Sequence, residues 1–207
     1  MKTCLIVIDV QESFRHRPYF TTHDLPAYLQ AQNALIEGCV ARGVPVVRVF
    51  HSEGPEVPEN AFSQVSGQVR ALDGLAPFEA AATFTKSRHS ALVGTGLDVW
   101  LTRHGIQRLI ISGIRTEQCC ETTARVGSDL GYAVDFVSEA TLTFPMTHKS
   151  TGQTFSVARR RARGAGPAQI GQIRLVRAAL ELTQATVKRA QEMMHGVTKH
   201  RIFAQTA

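Results

Sequence analysis

Short apolar runs alternate with stretches of helical spacing along the first 140 or so residues. Leu5-Ile6-Val7-Ile8 is unbroken apolar sequence closed by Asp9. Leu25, Leu29, Leu35, Ile36 and Val40 carry a helical pattern over 25–42, stopped by Gly43. The valine-rich stretch 44–50 predicts a second strand. Residues 51–82 are looser, punctuated by Gly54-Pro55, Pro58, Gly74 and Pro77, and the short extended piece 83–85 leads into Lys86. A helix is predicted over 97–104 before Gly105, a strand over 109–111, a helix over 117–130 ending at Gly131, and a strand over 133–137. Residues 173–176 read as a last strand, and 180–194 have helical spacing. Runs of Val, Ile and Leu without polar alternation suit strands buried on both faces. Alternating with amphipathic helices, they predict an α/β domain. The expected architecture is three layers, α/β/α, around a mostly parallel, Rossmann-like sheet of about six strands.

The chain has 207 residues, 43% of them apolar, enough for a single domain over 1–207 with a sizeable core. No apolar run approaches the ~18–20 residues needed to span a membrane. The apolar stretch at the N-terminus is short and ends in Asp9, without a signal-peptide cleavage site, so a cytoplasmic location is expected. The four cysteines are Cys4, Cys39, Cys119 and Cys120. In a reducing compartment they are not expected to form disulfides, and no C-x-x-C pair with matching ligands suggests structural zinc. Cys4 and Cys39 read as small core residues.

The net charge of +6 is unevenly spread. Residues 1–148 hold 12 Lys+Arg against 15 Asp+Glu, and residues 149–207 hold 11 against 2. The basic character therefore belongs to the tail.

In open parallel sheets, sites form at the carboxyl ends of the strands. Asp9, Lys86 and Cys119 all follow such ends. Each alone has an ordinary reading: a helix cap, a solvated lysine, a buried thiol. All three at one sheet edge point to chemistry. Thr116 can serve as N-cap, which puts Cys119 in the first helical turn, where the dipole favours a thiolate nucleophile. Cys120 is the rival, about 100° round the helix, so only one of the two can face Asp9.

Several segments together resemble the isochorismatase-like cysteine hydrolases. They are Leu5-Ile6-Val7-Ile8-Asp9-Val10-Gln11-Glu12-Ser13-Phe14, Lys86-Ser87-Arg88-His89-Ser90-Ala91-Leu92 with Gly94-Thr95-Gly96-Leu97, and Gly113-Ile114-Arg115-Thr116-Glu117-Gln118-Cys119. Thr122-Thr123-Ala124-Arg125 and Gly131-Tyr132-Ala133-Val134 continue the match, which is clearest over 3–156. The resemblance implies a triad of Asp9, Lys86 and Cys119. Lys86 would stabilise the thiolate and hold Asp9 ionised. Asp9 would take the thiol proton, later protonate the leaving amine, and activate the hydrolytic water. A cis peptide is implied at Ile114–Arg115, aiming the backbone N–H groups of Arg115 and Cys119 at an oxyanion. The motif spacing favours Cys119 over Cys120, which takes the place of a small apolar residue packed on the sheet.

Nicotinamidase-type relatives carry an Asp-x-His-x-x-His metal site after the second strand. Here the sequence is Phe50-His51-Ser52-Glu53-Gly54-Pro55-Glu56, so that spacing is missing and neither a catalytic metal nor a cofactor is expected. Retention of the cysteine favours hydrolysis of a C–N bond in an amide, ureide or carbamoyl group of a small molecule. The alternatives are an isochorismatase-type vinyl-ether hydrolase and a non-catalytic binding member of the fold. Gln11, Phe14, Tyr19, His51, Arg115 and Phe144 are the candidate substrate-binding residues, with Arg115 a carboxylate partner or a surface or interface arginine. A homo-oligomer, dimer or larger, is expected, and no membrane partner.

The match fades after Ser156. Val157-Ala158-Arg159-Arg160-Arg161-Ala162-Arg163-Gly164-Ala165-Gly166-Pro167 makes a poor core-facing helix. This atypical basic segment, 157–207, reads as a basic surface loop, an anion-binding patch, or a frame-shifted coding stretch over about 158–177. No aromatic residues interleave the charges, which argues against nucleic acid.

Overall fold

The computed structural model describes residues 1–147, 150–152, 154–155 and 173–176. Strand β1 (Thr3–Ile8) shows why its sequence carries no polar alternation. Leu5 and Val7 face one core, which they share with Tyr28, Leu35 and Ile36 of helix α1 (Leu25–Val40). Cys4, Ile6 and Ile8 face the other, with Leu97 and Leu101 of α2 (Leu97–Arg103) and Ala124 of α3 (Glu121–Asp129). Both faces of the strand are covered, so successive residues must all be apolar. Each such side chain contributes about 1.5–3 kcal/mol on burial.

The main sheet has six strands in the order β3-β2-β1-β4-β5-β8, every pairing parallel. Its other members are β2 (Val46–His51), β3 (Ala82–Lys86), β4 (Arg108–Ile114), β5 (Ala133–Leu142) and β8 (Ile173–Val176). Strands β6 (Met146–Thr147) and β7 (Thr154–Phe155) form a small antiparallel pair. Strand order runs outward from β1 through β2 and β3 on one side, and from β4 through β5 on the other. The reversal lies between β1 and β4, where open α/β sheets form their crevice.

Three boundaries differ from the sequence reading for physical reasons. Strand β4 continues through Ser112-Gly113, beyond the strand expected over 109–111. Gly113 (φ 130) pairs with Ile8, and a Cβ there would lie 1.9 Å from the Ile8 carbonyl oxygen. The glycine lets two central strands approach and does not end one. Strand β5 runs on to Leu142, past a register shift between Ile111 and Gly113. Third, the helix expected from 117 opens as a π-helical turn, Thr116–Cys120, before α3. Thr116 is not its cap. Arg115 occupies that position, and the Thr116 hydroxyl donates to Thr141 Oγ1 at 3.0 Å, an acceptor supplied by the extended β5.

The last strand pairs with β5 from Val134 to Val137, as expected for 173–176. The helix expected over 180–194 and the basic run at 159–163 lie outside the described residues. Among the described residues no helix is long and apolar enough to cross a membrane.

Candidate active site

Asp9, the residue after β1, is held in place by its own backbone: its N–H donates to Val49 O of β2 at 2.8 Å. Lys86 closes β3 and is paired in register with His51 at the end of β2. Cys119 lies in the π-helical turn after β4. The three strand ends therefore converge at the switch point. Lys86 Nζ lies 2.7 Å from Asp9 Oδ2 and donates to Cys119 Sγ at 3.3 Å and to Arg88 O at 3.0 Å. Asp9 is 0%, Lys86 2% and Cys119 6% exposed. The ion pair is therefore almost dry, and its charges are poorly screened.

Burial sets the proton affinities here. It pushes the Cys119 thiol up to about 12, reinforced by the Asp9 carboxylate and only partly opposed by Lys86. The expectation of a dipole-favoured thiolate is therefore corrected: desolvation of the sulfur outweighs a helix terminus. Burial also raises Asp9 above the ordinary carboxylate range, more than the neighbouring ammonium lowers it. Asp9 is thus a stronger proton acceptor than a surface aspartate, and not simply held ionised by Lys86. Burial pulls Lys86 down, but the anionic fields of Asp9 and Cys119 prevail and the amine stays charged, with its pKa raised.

The adjacent cysteines diverge. Cys119 reaches Lys86, whereas Cys120 is 0% exposed and packs with Ile6, Leu109 and Ala124 in the apolar core. Burial lifts the Cys120 thiol well above its usual value.

His51 Nδ1 lies 3.1 Å from Lys86 Nζ. Because an ammonium only donates, Nδ1 accepts, and the ring proton sits on Nε2, which donates to Glu53 Oε2 at 3.0 Å. Burial, then Lys86, keeps His51 below its ordinary pKa. Gln11 clasps the ends of β1 and β2. Its Nε2 donates to His51 O and to Ser13 Oγ, both at 2.9 Å, and its Oε1 accepts His51 N–H at 2.7 Å. Its amide serves the framework beneath His51.

Phe14, Tyr19 and Phe144 form an aromatic cluster with Phe20 and Phe62, and Phe62 joins it to His51 at 5.8 Å between ring centroids. Arg115 lies over Tyr19 at 4.7 Å and pairs with Glu117 at 2.9 Å, so its carboxylate partner here is internal. Arg115 is 4% exposed, which rules out the surface-arginine reading in the single chain. The Ile114–Arg115 peptide is cis.

Sequence reasoning missed three neighbours: Glu53, Phe62 and His89. Glu53 also binds Arg17 at 3.0 Å, and Arg17 lies 4.2 Å over the Phe62 ring. His89 stood within the motif that begins at Lys86, yet nothing in the spacing assigned it a task. Among the described residues, no three His, Cys, Asp or Glu side chains are grouped to hold a metal ion.

The sequence profile of the isochorismatase domain matches residues 3–170. This chain belongs to the isochorismatase family. Its relatives include the isochorismatase family protein YrdC of Bacillus subtilis, 26% identical over 145 residues, covering 70% of this chain and 76% of YrdC. Among solved structures it is similar to a cysteine hydrolase from Pseudomonas syringae pv. phaseolicola (TM-score 0.76, 21% identity, 88% and 91% of the two chains). It is also similar to N-carbamoylsarcosine amidase from Thermoplasma acidophilum (TM-score 0.61, 25% identity, 69% and 85%). This isochorismatase-family protein is a hydrolase with the family's parallel α/β fold.

Proposed function

We propose that this hydrolase cleaves a C–N bond of a small amide, ureide or carbamoyl compound, with Cys119 as nucleophile and no metal. The observation that carries the reading is the placement of one buried ammonium between a carboxylate and a thiol, 2.7 Å from Asp9 and 3.3 Å from Cys119. Releasing the Cys119 proton to solvent is costly, as its raised pKa shows. Passing it to Asp9 is different. The negative charge moves from one neighbour of Lys86 to the other, so the number of buried charges does not change. The raised basicity of Asp9 favours the same transfer. The sulfur then attacks the carbonyl carbon, and the backbone N–H groups of Arg115 and Cys119 receive the oxyanion. Collapse expels the nitrogen, and water cleaves the thioester. Both ring nitrogens of His51 are engaged, by Lys86 and Glu53, which supports a reaction without a metal at this place. The likeness to an amidase supports C–N over ether cleavage.

Screening small amides, ureides and isochorismate against the purified protein tests the substrate class. With a substrate found, Cys119→Ala should lower kcat by ~10³-fold or more. Cys120→Ala should leave turnover within about threefold and cost roughly 1 kcal/mol of stability. Full activity on isochorismate in Cys119→Ala would favour ether cleavage with Asp9 as acid and sink the thiol mechanism.

The pH profile offers a second check. Asp9 must be ionised to accept the thiol proton, so kcat/KM should fall as pH drops through its folded pKa. That pKa is raised by burial, so the acid limb should lie above the usual carboxylate value of about 4. An acid limb at or below that value would mean that another group is the base.

A further inference from the structure

Asp9, Lys86 and His51 are buried, but His89 is exposed, and its Nδ1 lies 3.9 Å from Cys119 Sγ. The segment that carries it is fixed on both sides. Lys86 Nζ holds Arg88 O at 3.0 Å. Beyond His89, the Ala91 N–H donates to Thr123 Oγ1 at 2.9 Å, and the same hydroxyl donates to Cys119 O at 2.6 Å. The imidazole and the sulfur are therefore mounted on a common hydrogen-bonded frame. Glu53, already bound to His51 and Arg17, also lies within the field of His89.

We infer that His89 is a further catalytic residue, the proton donor to the leaving atom and the acceptor for the hydrolytic water. The inference rests on the cysteine-hydrolase reading and moves to His89 two tasks there expected of Asp9. Asp9 is fully buried and tied to Lys86, so it is well placed for the thiol proton. His89, by contrast, is exposed and 3.9 Å from the sulfur, within reach of a group bound to it. In acylation the S–C bond forms, the thiol proton passes to Asp9, and the C–N bond breaks. The leaving nitrogen takes its proton from protonated His89. In deacylation water adds to the thioester carbonyl and gives its proton to neutral His89. The C–S bond then breaks, and the departing sulfur recovers its proton from Asp9. Both groups end as they began, and the product is the free acid.

Two esters with the same acyl group test this. The 4-nitrophenolate of 4-nitrophenyl acetate leaves readily as the anion, whereas the more basic phenolate of phenyl acetate gains from a proton donor. Acylation is followed in the full-length protein by phenol release and by intact mass. In His89→Asn and His89→Ala, acylation by phenyl acetate should fall ~100-fold, the scale of general acid catalysis, while 4-nitrophenyl acetate changes by less than about threefold. Parallel losses on the two esters, or no loss on either, would overturn the inference while leaving Cys119 as nucleophile. If the native protein is not acylated above the Cys119→Ala background, the hydrolase mechanism fails and the inference falls with it.

Discussion

Replacing Lys86 with methionine should abolish turnover and destabilise the fold by about 3–5 kcal/mol, the usual consequence of removing one partner of a buried pair. The ammonium has Asp9, Cys119, His51 Nδ1 and Arg88 O all within reach and shares its three protons among them. Without it, Asp9 is a desolvated carboxylate with no countercharge, and the thiol loses the group that stabilises its anion. A double variant separates the two effects. Lys86→Met with Asp9→Asn removes both buried charges, so it should recover much of the stability and none of the activity. Denaturant melts of the three proteins measure this. A Lys86→Met protein as stable as the parent would show that the pair is solvated and that the charge argument is wrong.

Gly113→Ala should be at least as damaging to the fold, costing more than about 4 kcal/mol or preventing folding altogether. The new Cβ would stand 1.9 Å from Ile8 O and 2.7 Å from Ile8 C. These are backbone atoms of the strand that pairs with both β2 and β4, so nothing nearby can yield cheaply. The φ of 130 adds backbone strain for any L side chain. Gly43→Ala is the comparison: φ is 65, nothing lies within 4 Å, and the expected cost is about 1–2 kcal/mol. Equal melting shifts for the two variants would refute the close-approach explanation. Since Ile8 precedes Asp9 and Gly113 precedes the turn that carries Cys119, a displaced β1 would also separate Asp9 from Cys119.

The sheet was legible because doubly buried strands leave unbroken apolar runs, as in Leu5–Ile8 and Leu109–Ile111. That Asp9, Lys86 and Cys119 come together was legible for a related reason: residues that follow the carboxyl ends of parallel strands gather at one sheet edge. Other features depend on information that spacing does not hold. Gly113 resembles a breaker until its partner strand is known. Thr116 resembles a cap until β5 supplies Thr141. The ionisation of Cys119 depends on desolvation, which depends on every element packed around it. Glu53 and Phe62 come from the 51–82 excursion, whose path is set by individual hydrogen bonds such as the Asp73 N–H to Glu12 Oε1 (2.6 Å) and no periodic pattern.

Asp9 is in the left-handed region with φ 52, a conformation that glycine adopts at no cost. The same residue is a buried carboxylate, so backbone and side chain are both held in unfavourable states. Stability and the chemistry proposed for Asp9 therefore pull position 9 in opposite directions. Mutational drift that rewarded only thermal robustness would carry the chain toward glycine at 9 and an apolar residue at 86, with the sheet intact. Such a chain would keep the sheet and lose the chemistry proposed for Asp9 and Lys86.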